Sequence, residues 1–123
     1  MIEVKIKSVA QKIDSISIDN HALAEREAIL AGDAYDMVCN SVSVLGQSVI
    51  IGLDEVLKLN VNYEIGDGHL SVDLNGFDED ERAQAQVLLR TFEKSLESVI
   101  LSLDEMFGVN KRKEYINIIK EEV

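Results

Sequence analysis

One cysteine, two histidines and only 12 basic residues against 23 acidic ones set the first limits on this chain of 123 residues. A single cysteine closes no internal disulfide, and no basic segment followed by an apolar one opens at Met1. Together these point to a protein of the reducing cytoplasm. No apolar run approaches the roughly 18 residues that a membrane span needs. With one Cys and two well-separated His, the paired CxxC or HExxH spacings of zinc sites are missing. Gly66-Asp67-Gly68 has turn chemistry without the pattern of a phosphate-binding loop, and the acidic run from Asp78 to Glu81 lacks the spaced oxygen ligands of an EF-hand. No metal or cofactor is therefore expected. The net charge of −11 disfavours direct contact with nucleic acid and suits a basic protein partner. Lys111-Arg112-Lys113 is the one basic cluster, and it follows a helical pattern at whose C-terminus cations belong. Internal repeats and proline-rich linkers are absent too, so residues 1–123 read as one domain.

What is present is ordinary globular composition, 46% hydrophobic and 28% charged. Ile2, Val4 and Ile6 alternate with Glu3, Lys5 and Lys7, and Ile16 and Ile18 alternate with Ser15, Ser17 and Asp19. This period of two predicts an antiparallel hairpin whose second strand ends at Asn20-His21. Residues 22–35 are good helix formers interrupted by Gly32, read as a mobile connection with about two helical turns. Val42, Leu45, Val49, Leu53, Val56 and Leu57 then recur at steps of three and four, which predicts an interior helix opened by Asp36. Gly46 and Gly52 are expected to mark close packing of that helix on the sheet. A second hairpin follows, with Leu59 to Ile65 and Leu70 to Leu74 flanking the Gly66-Asp67-Gly68 turn. A long helix capped by Asp78 or Asp80 runs to Gly108, and residues 115–119 are read as a fifth strand. The order ββαββαβ predicts an α+β domain of two layers, an antiparallel or mixed sheet of about five strands with two helices on one face.

Cys39 is the residue around which chemistry can gather. Asp36 as an N-cap would put it in the first turn of the central helix, where unpaired N–H groups favour a thiolate. The amides of Cys39 and Asn40 are candidate oxyanion donors, and His21 is a candidate base. Equally, a lone cysteine is often a small buried hydrophobe, and a histidine at a strand end is often a solvated edge residue. His69 follows a turn and reads as structural or exposed.

The segments His21-Ala22, Asp36-Met-Val-Cys39-Asn-Ser-Val-Ser43 and Gly52-Leu-Asp-Glu-Val-Leu57 resemble the ribosomal-processing cysteine protease Prp family. The resemblance covers most of the chain. It implies a cysteine endopeptidase that removes an apolar N-terminal extension, ending in aromatic residues, from the twenty-seventh protein of the large ribosomal subunit. It also implies a homodimer with Cys39 as nucleophile, His21 as base, Asp36 as the acid ahead of the cysteine and Ser43 as a supporting serine one turn past it. Asp36 either orients His21 or caps the helix. Two features depart from the family pattern: Asn20 stands where the family has glycine, and the connection at 22–35 is several residues longer. The alternative function is a non-catalytic module that holds a peptide or ribosome-assembly partner in the same groove; a small-molecule regulatory domain is a third reading, with little specific support in the residues.

Overall fold

The computed structural model describes residues 1–19 and 33–123, with side chains of the second stretch described from Val38 onward. The strands are β1 (Ile2–Val9), β2 (Lys12–Asp19), β3 (Asn62–Gly66), β4 (His69–Asp73) and β5 (Ile116–Glu122), and the helices are α1 (Asp33–Ile51), α2 (Glu79–Phe107) and α3 (Val109–Tyr115). One mixed sheet runs β3-β4-β2-β1-β5, antiparallel except where β5 lies parallel to β1. The expected order stands, with α3 as an added helix before the last strand.

The alternation seen in sequence becomes the two faces of this sheet. Val4, Ile18 and Leu70 form one cross-strand row and Ile6, Ile16 and Val72 the next. All six are at most 1% exposed. Burying side chains of this size contributes about 1.5–3 kcal/mol each, as an upper estimate. The helices lie over that face, with Val38, Val42 and Val49 of α1, Leu53 just after it, and Ala85, Leu89, Phe92 and Leu96 of α2 turned into the core. The opposite face carries Lys5, Ser17 and Ser71 in register. That makes two layers.

The β1–β2 turn, Ala10-Gln11, has positive φ at both residues, 52° and 67°. Such a turn matches strand twist but suits Asn-Gly better, since left-handed backbone costs about 1–2 kcal/mol for most residues. Main-chain contacts hold it: the Gln11 amide donates to Glu122 Oε1 at 3.0 Å, and Arg90 of α2 donates to the Gln11 carbonyl. A bulge between Lys7 and Ser8 in the β1–β2 register turns Asp14 toward α2, where Arg82 Nη1 meets it at 2.7 Å. Arg82 also donates to the carbonyls of Leu74 and Phe77, so one guanidinium fastens the start of α2 to β2 and to the end of β4.

Asp78 caps α2 in a capping box with Glu81, as its sequence predicts. Gly108, at φ 85°, ends α2 and begins α3. Here one helix is added and one boundary moves. The basic run that follows the long helix is itself helical, part of α3, held because Arg112 Nε binds Asp104 at 2.7 Å and its Nη1 reaches the Ile116 carbonyl. Tyr115 accordingly closes α3, and the fifth strand starts one residue later and runs to Glu122.

Candidate active site

α1 begins at Asp33, three residues before the expected start. Asp36 is therefore the fourth helical residue rather than the cap, and Cys39 lies in the second turn. Only the first four N–H groups of a helix lack intrahelical partners. The amides of Cys39 and Asn40, expected as oxyanion donors, lie beyond those four.

The direction of α1 fixes where Cys39 goes. A Cβ on Gly46 would sit 2.7 Å from Ile18 Cδ1 and 3.3 Å from Leu70 Cδ1, so α1 touches the sheet where β2 nears its end and β4 begins. A Cβ on Gly52 would instead meet Leu88 Cδ1 of α2 at 2.7 Å, so this second glycine marks helix contact and not sheet contact. Gln86, two residues before Leu88, exchanges hydrogen bonds of 2.9 and 2.7 Å with the backbone of Ile13 at the start of β2. α1 thus runs opposite to β2, from the end of β2 toward its beginning. Cys39 shares a helical face with Gly46 and lies two turns, about 10 Å, nearer the end to which β2 leads. His21 is two residues past Asp19, the last residue of β2.

Cys39 is half-buried and packs against the core. Ser43, one turn on, is half-buried on the same side and accepts a 2.9 Å hydrogen bond from Gln47 Nε2. Cys39, Ser43 and Gln47 thus form one ridge at steps of four. Asn40 is exposed and lies about a quarter-turn or more away from that ridge. His21, Asn20, the connection at 22–32 and the side chain of Asp36 lie outside the described residues, so the expected Cys–His pairing does too.

An apolar cavity of about 240 Å³ sits between α1 and α2, lined by Val38, Ser41, Val99, Leu103, Met106 and Phe107 among others. It is on the other side of the buried stripe of α1. Ser41 is 200° round the helix from Cys39, so the cavity does not open onto the thiol.

A neighbouring pair went unread in sequence. His69 Nδ1 lies 2.6 Å from Asp19 Oδ1, and its Nε2 is 3.8 Å from Glu64 Oε2. Asp19 and His69 are register partners on the polar face of the sheet, and their contact ties the last residue of β2 to the first of β4. The signal lay in cross-strand register, which becomes visible only once β2 and β4 are known to pair. Among the described residues no group of three or more His, Cys, Asp or Glu is arranged to hold a metal ion, and no helix is long and apolar enough to cross a membrane.

The described residues thus form an α+β domain whose first long helix carries the lone cysteine half-buried against the core. The cysteine protease Prp family matches residues 1–107, and the chain belongs to that family. Among solved structures it is similar to SMU.848 from Streptococcus mutans, at 19% identity over 100% of this chain and 99% of that one, with a TM-score of 0.74. It is also similar to an essential ribosomal processing protease Prp from Staphylococcus aureus, solved in complex with a covalently linked product peptide. That match has 21% identity, covers 98% and 100% of the two chains and has a TM-score of 0.64. A hypothetical protein from Staphylococcus aureus follows at 17% identity, 98% and 100% coverage and a TM-score of 0.52. At such identities the likeness is one of fold. A comparison with curated proteins finds no match.

Proposed function

We propose that this chain is an endopeptidase that removes the N-terminal extension of the twenty-seventh large-subunit ribosomal protein, acting as a cytoplasmic homodimer with a Cys39–His21 dyad. The observation that carries the reading is the antiparallel run of α1 and β2, which directs the Cys39 face toward the sheet end where the chain continues to His21. Family membership supports the cysteine chemistry, and the Staphylococcus aureus relative with its covalently linked product peptide supports attack on a peptide bond.

The chemistry follows from the two side chains. His21 takes the thiol proton and the Cys39 thiolate adds to the scissile carbonyl; collapse expels the amine, which receives that proton, and leaves a thioester. Water, giving its proton to His21, then releases the acid and restores the thiol. Ser43 and Gln47 steady the ridge beside the nucleophile, and Asp36, with its place inside α1 favouring this role over capping, is assigned to orienting His21. The acidic surface favours encounter with a basic ribosomal protein.

The test is incubation of the purified protein with a peptide spanning an extension junction, read by mass spectrometry beside Cys39→Ala and His21→Ala. Cleavage at one bond by the parent protein and by neither variant is expected. A parent protein that binds the peptide and leaves it whole would instead mark a non-catalytic module.

A further inference from the structure

The helix-facing side of β3 is left uncovered. Tyr63 pairs with Val72 and Ile65 with Leu70, and cross-strand partners project to the same face. Yet Val72 and Leu70 are 1% exposed, whereas Tyr63 is 48% and Ile65 58% exposed. Where Gly46 touches the sheet, α1 lies over Leu70 and Ile18, on β4 and β2, with β3 the next strand outward. Two large apolar side chains therefore form a shelf alongside the helix that carries Cys39, Ser43 and Gln47.

The free edge makes the shelf more than a patch. β3 is the outermost strand, and its far edge pairs with no strand among the described residues. Exposed apolar edge strands are templates for another strand, and proteins usually blunt them with lysine, proline or a bulge. None of these interrupts 62–66; instead the surroundings are acidic, with Glu64 on the strand itself, Asp67 in the turn and Asp54 and Glu55 exposed after α1. Lys58 is the one cation in the connection from α1 to β3. The end of β3 at Gly66 is also the Cys39 end of the molecule, since Gly66 pairs with His69, and His69 with Asp19.

We infer that β3 binds the substrate as an added strand, an extended apolar segment flanked by basic residues, laid along the shelf and leading to Cys39 at the Gly66 end. The inference rests on the reading of Cys39 as the nucleophile of an endopeptidase and specifies how that site holds its peptide. Main-chain hydrogen bonds to β3 supply affinity, and Tyr63 and Ile65 supply preference for apolar side chains at alternating positions of the peptide. The acids around the shelf attract the basic flanks. Tyr63 and Ile65 are thus specificity-determining residues that do not touch the reacting atoms.

The experiment measures peptide binding to Cys39→Ala by fluorescence anisotropy and, in parallel, steady-state cleavage by the protein with its cysteine intact. Both are repeated in a Tyr63→Ser/Ile65→Ser background, with Val87→Ser, also an exposed apolar residue but on α2, as the control. The double variant should weaken binding and raise KM at least tenfold with kcat within twofold, and leave iodoacetamide alkylation of Cys39 unchanged; Val87→Ser should alter none of these. N-methylation of alternate peptide amides should weaken binding to the parent surface. Binding that is absent, or that is indifferent to the double variant and to N-methylation, overturns the inference. So does a double variant that changes only the sedimenting mass, which would make the shelf a contact between copies. Binding that does depend on the shelf, without cleavage by the intact protein, leaves this inference standing and overturns the endopeptidase reading alone.

Discussion

Gly46 and Gly52 pose the same steric question and should give different answers. Each added Cβ would meet a leucine or isoleucine terminus at 2.7 Å, closer than packed carbons approach. At Gly46 the obstacle is Ile18 Cδ1, wholly buried, with both Leu70 methyls at 3.3 Å behind it. At Gly52 it is the end of Leu88, a half-buried side chain that can swing toward solvent. Overpacking costs about 1–3 kcal/mol, and replacing a helical glycine by alanine returns about 1 kcal/mol. Gly46→Ala should therefore destabilise by about 1 kcal/mol and lower Tm by about 3–6 °C, while Gly52→Ala should lie within about 0.5 kcal/mol of the parent protein. Ile18→Val tests the cause directly because it deletes the clashing Cδ1. Alone it should cost about 0.5–1.5 kcal/mol. Combined with Gly46→Ala it should cost less than the sum by about 1 kcal/mol, since the added methyl then fills the space left. Urea unfolding followed by circular dichroism measures all four corners of the cycle. Additivity within about 0.3 kcal/mol would refute the contact as the source of the cost, and with it the seating of α1 on which the position of Cys39 depends.

Ala10→Asn/Gln11→Gly should stabilise the β1–β2 turn by about 1 kcal/mol, because it suits the positive φ values and keeps the main-chain contacts to Glu122 and Arg90; a lower thermal midpoint would contradict this. Hydrogen bonding to Lys120 holds Glu97 below its usual carboxylate range, and the same bond holds Lys120 above its own. The depressed carboxyl stabilises above its unfolded value of 4.5, with loss as pH falls through the folded value. The raised ammonium stabilises below 10.5, with loss as pH rises through its folded value. Lys120→Met should accordingly cost an even few tenths of a kcal/mol between those limits, shrinking beyond both; urea titrations across pH that show no plateau would exclude the pair as the cause. Alkylation of Cys39 by iodoacetamide should persist to lower pH than that of an ordinary thiol and lose that advantage in His21→Ala; identical profiles would remove the dyad.

The elements that were legible in sequence are those where one periodicity met one layer. β1, β2 and β4 alternate because one face is buried and the other wet, and the stripe of α2 ends at a glycine with positive φ. Other features depended on partners distant in sequence. Asp33 and Asp36 are equivalent candidates for a helix start, and local pattern cannot choose between them. Lys111 to Lys113 read only as a basic cluster past the long helix until Arg112 finds Asp104. The five residues Gly52–Val56 leave α1 as a π-helical turn, with Leu57 N–H bonded to the Gly52 carbonyl at 2.9 Å. Lys58 then takes φ 55°, so Leu59 and Val61 belong to the connection although they continue the alternation of β3. At the candidate site, Cys39 and Ser43 could be picked out as residue types with the right spacing. The exposure of Tyr63 and Ile65 could not, because alternation records which face a side chain takes and not whether a helix reaches far enough to cover it.

The earlier start of α1 also changes what must activate the thiol. Favourable interaction of an anion with a helix start fades within the first turn, where the unpaired N–H groups are. Had Asp36 been the cap, Cys39 would have shared that turn and its thiolate would have needed less from a partner. In the second turn it lies past those unpaired N–H groups. A neighbouring cation would then favour the thiolate, and under the proposed function the imidazolium of His21 supplies it. A substrate held as an added strand on β3 would have its carbonyl position set by the shelf and not by α1. Binding geometry and reactivity would thus be divided between two elements that meet only at the end of the sheet, which is why the contact between Gly46, Ile18 and Leu70 should influence cleavage even though none of the three reaches the reacting atoms.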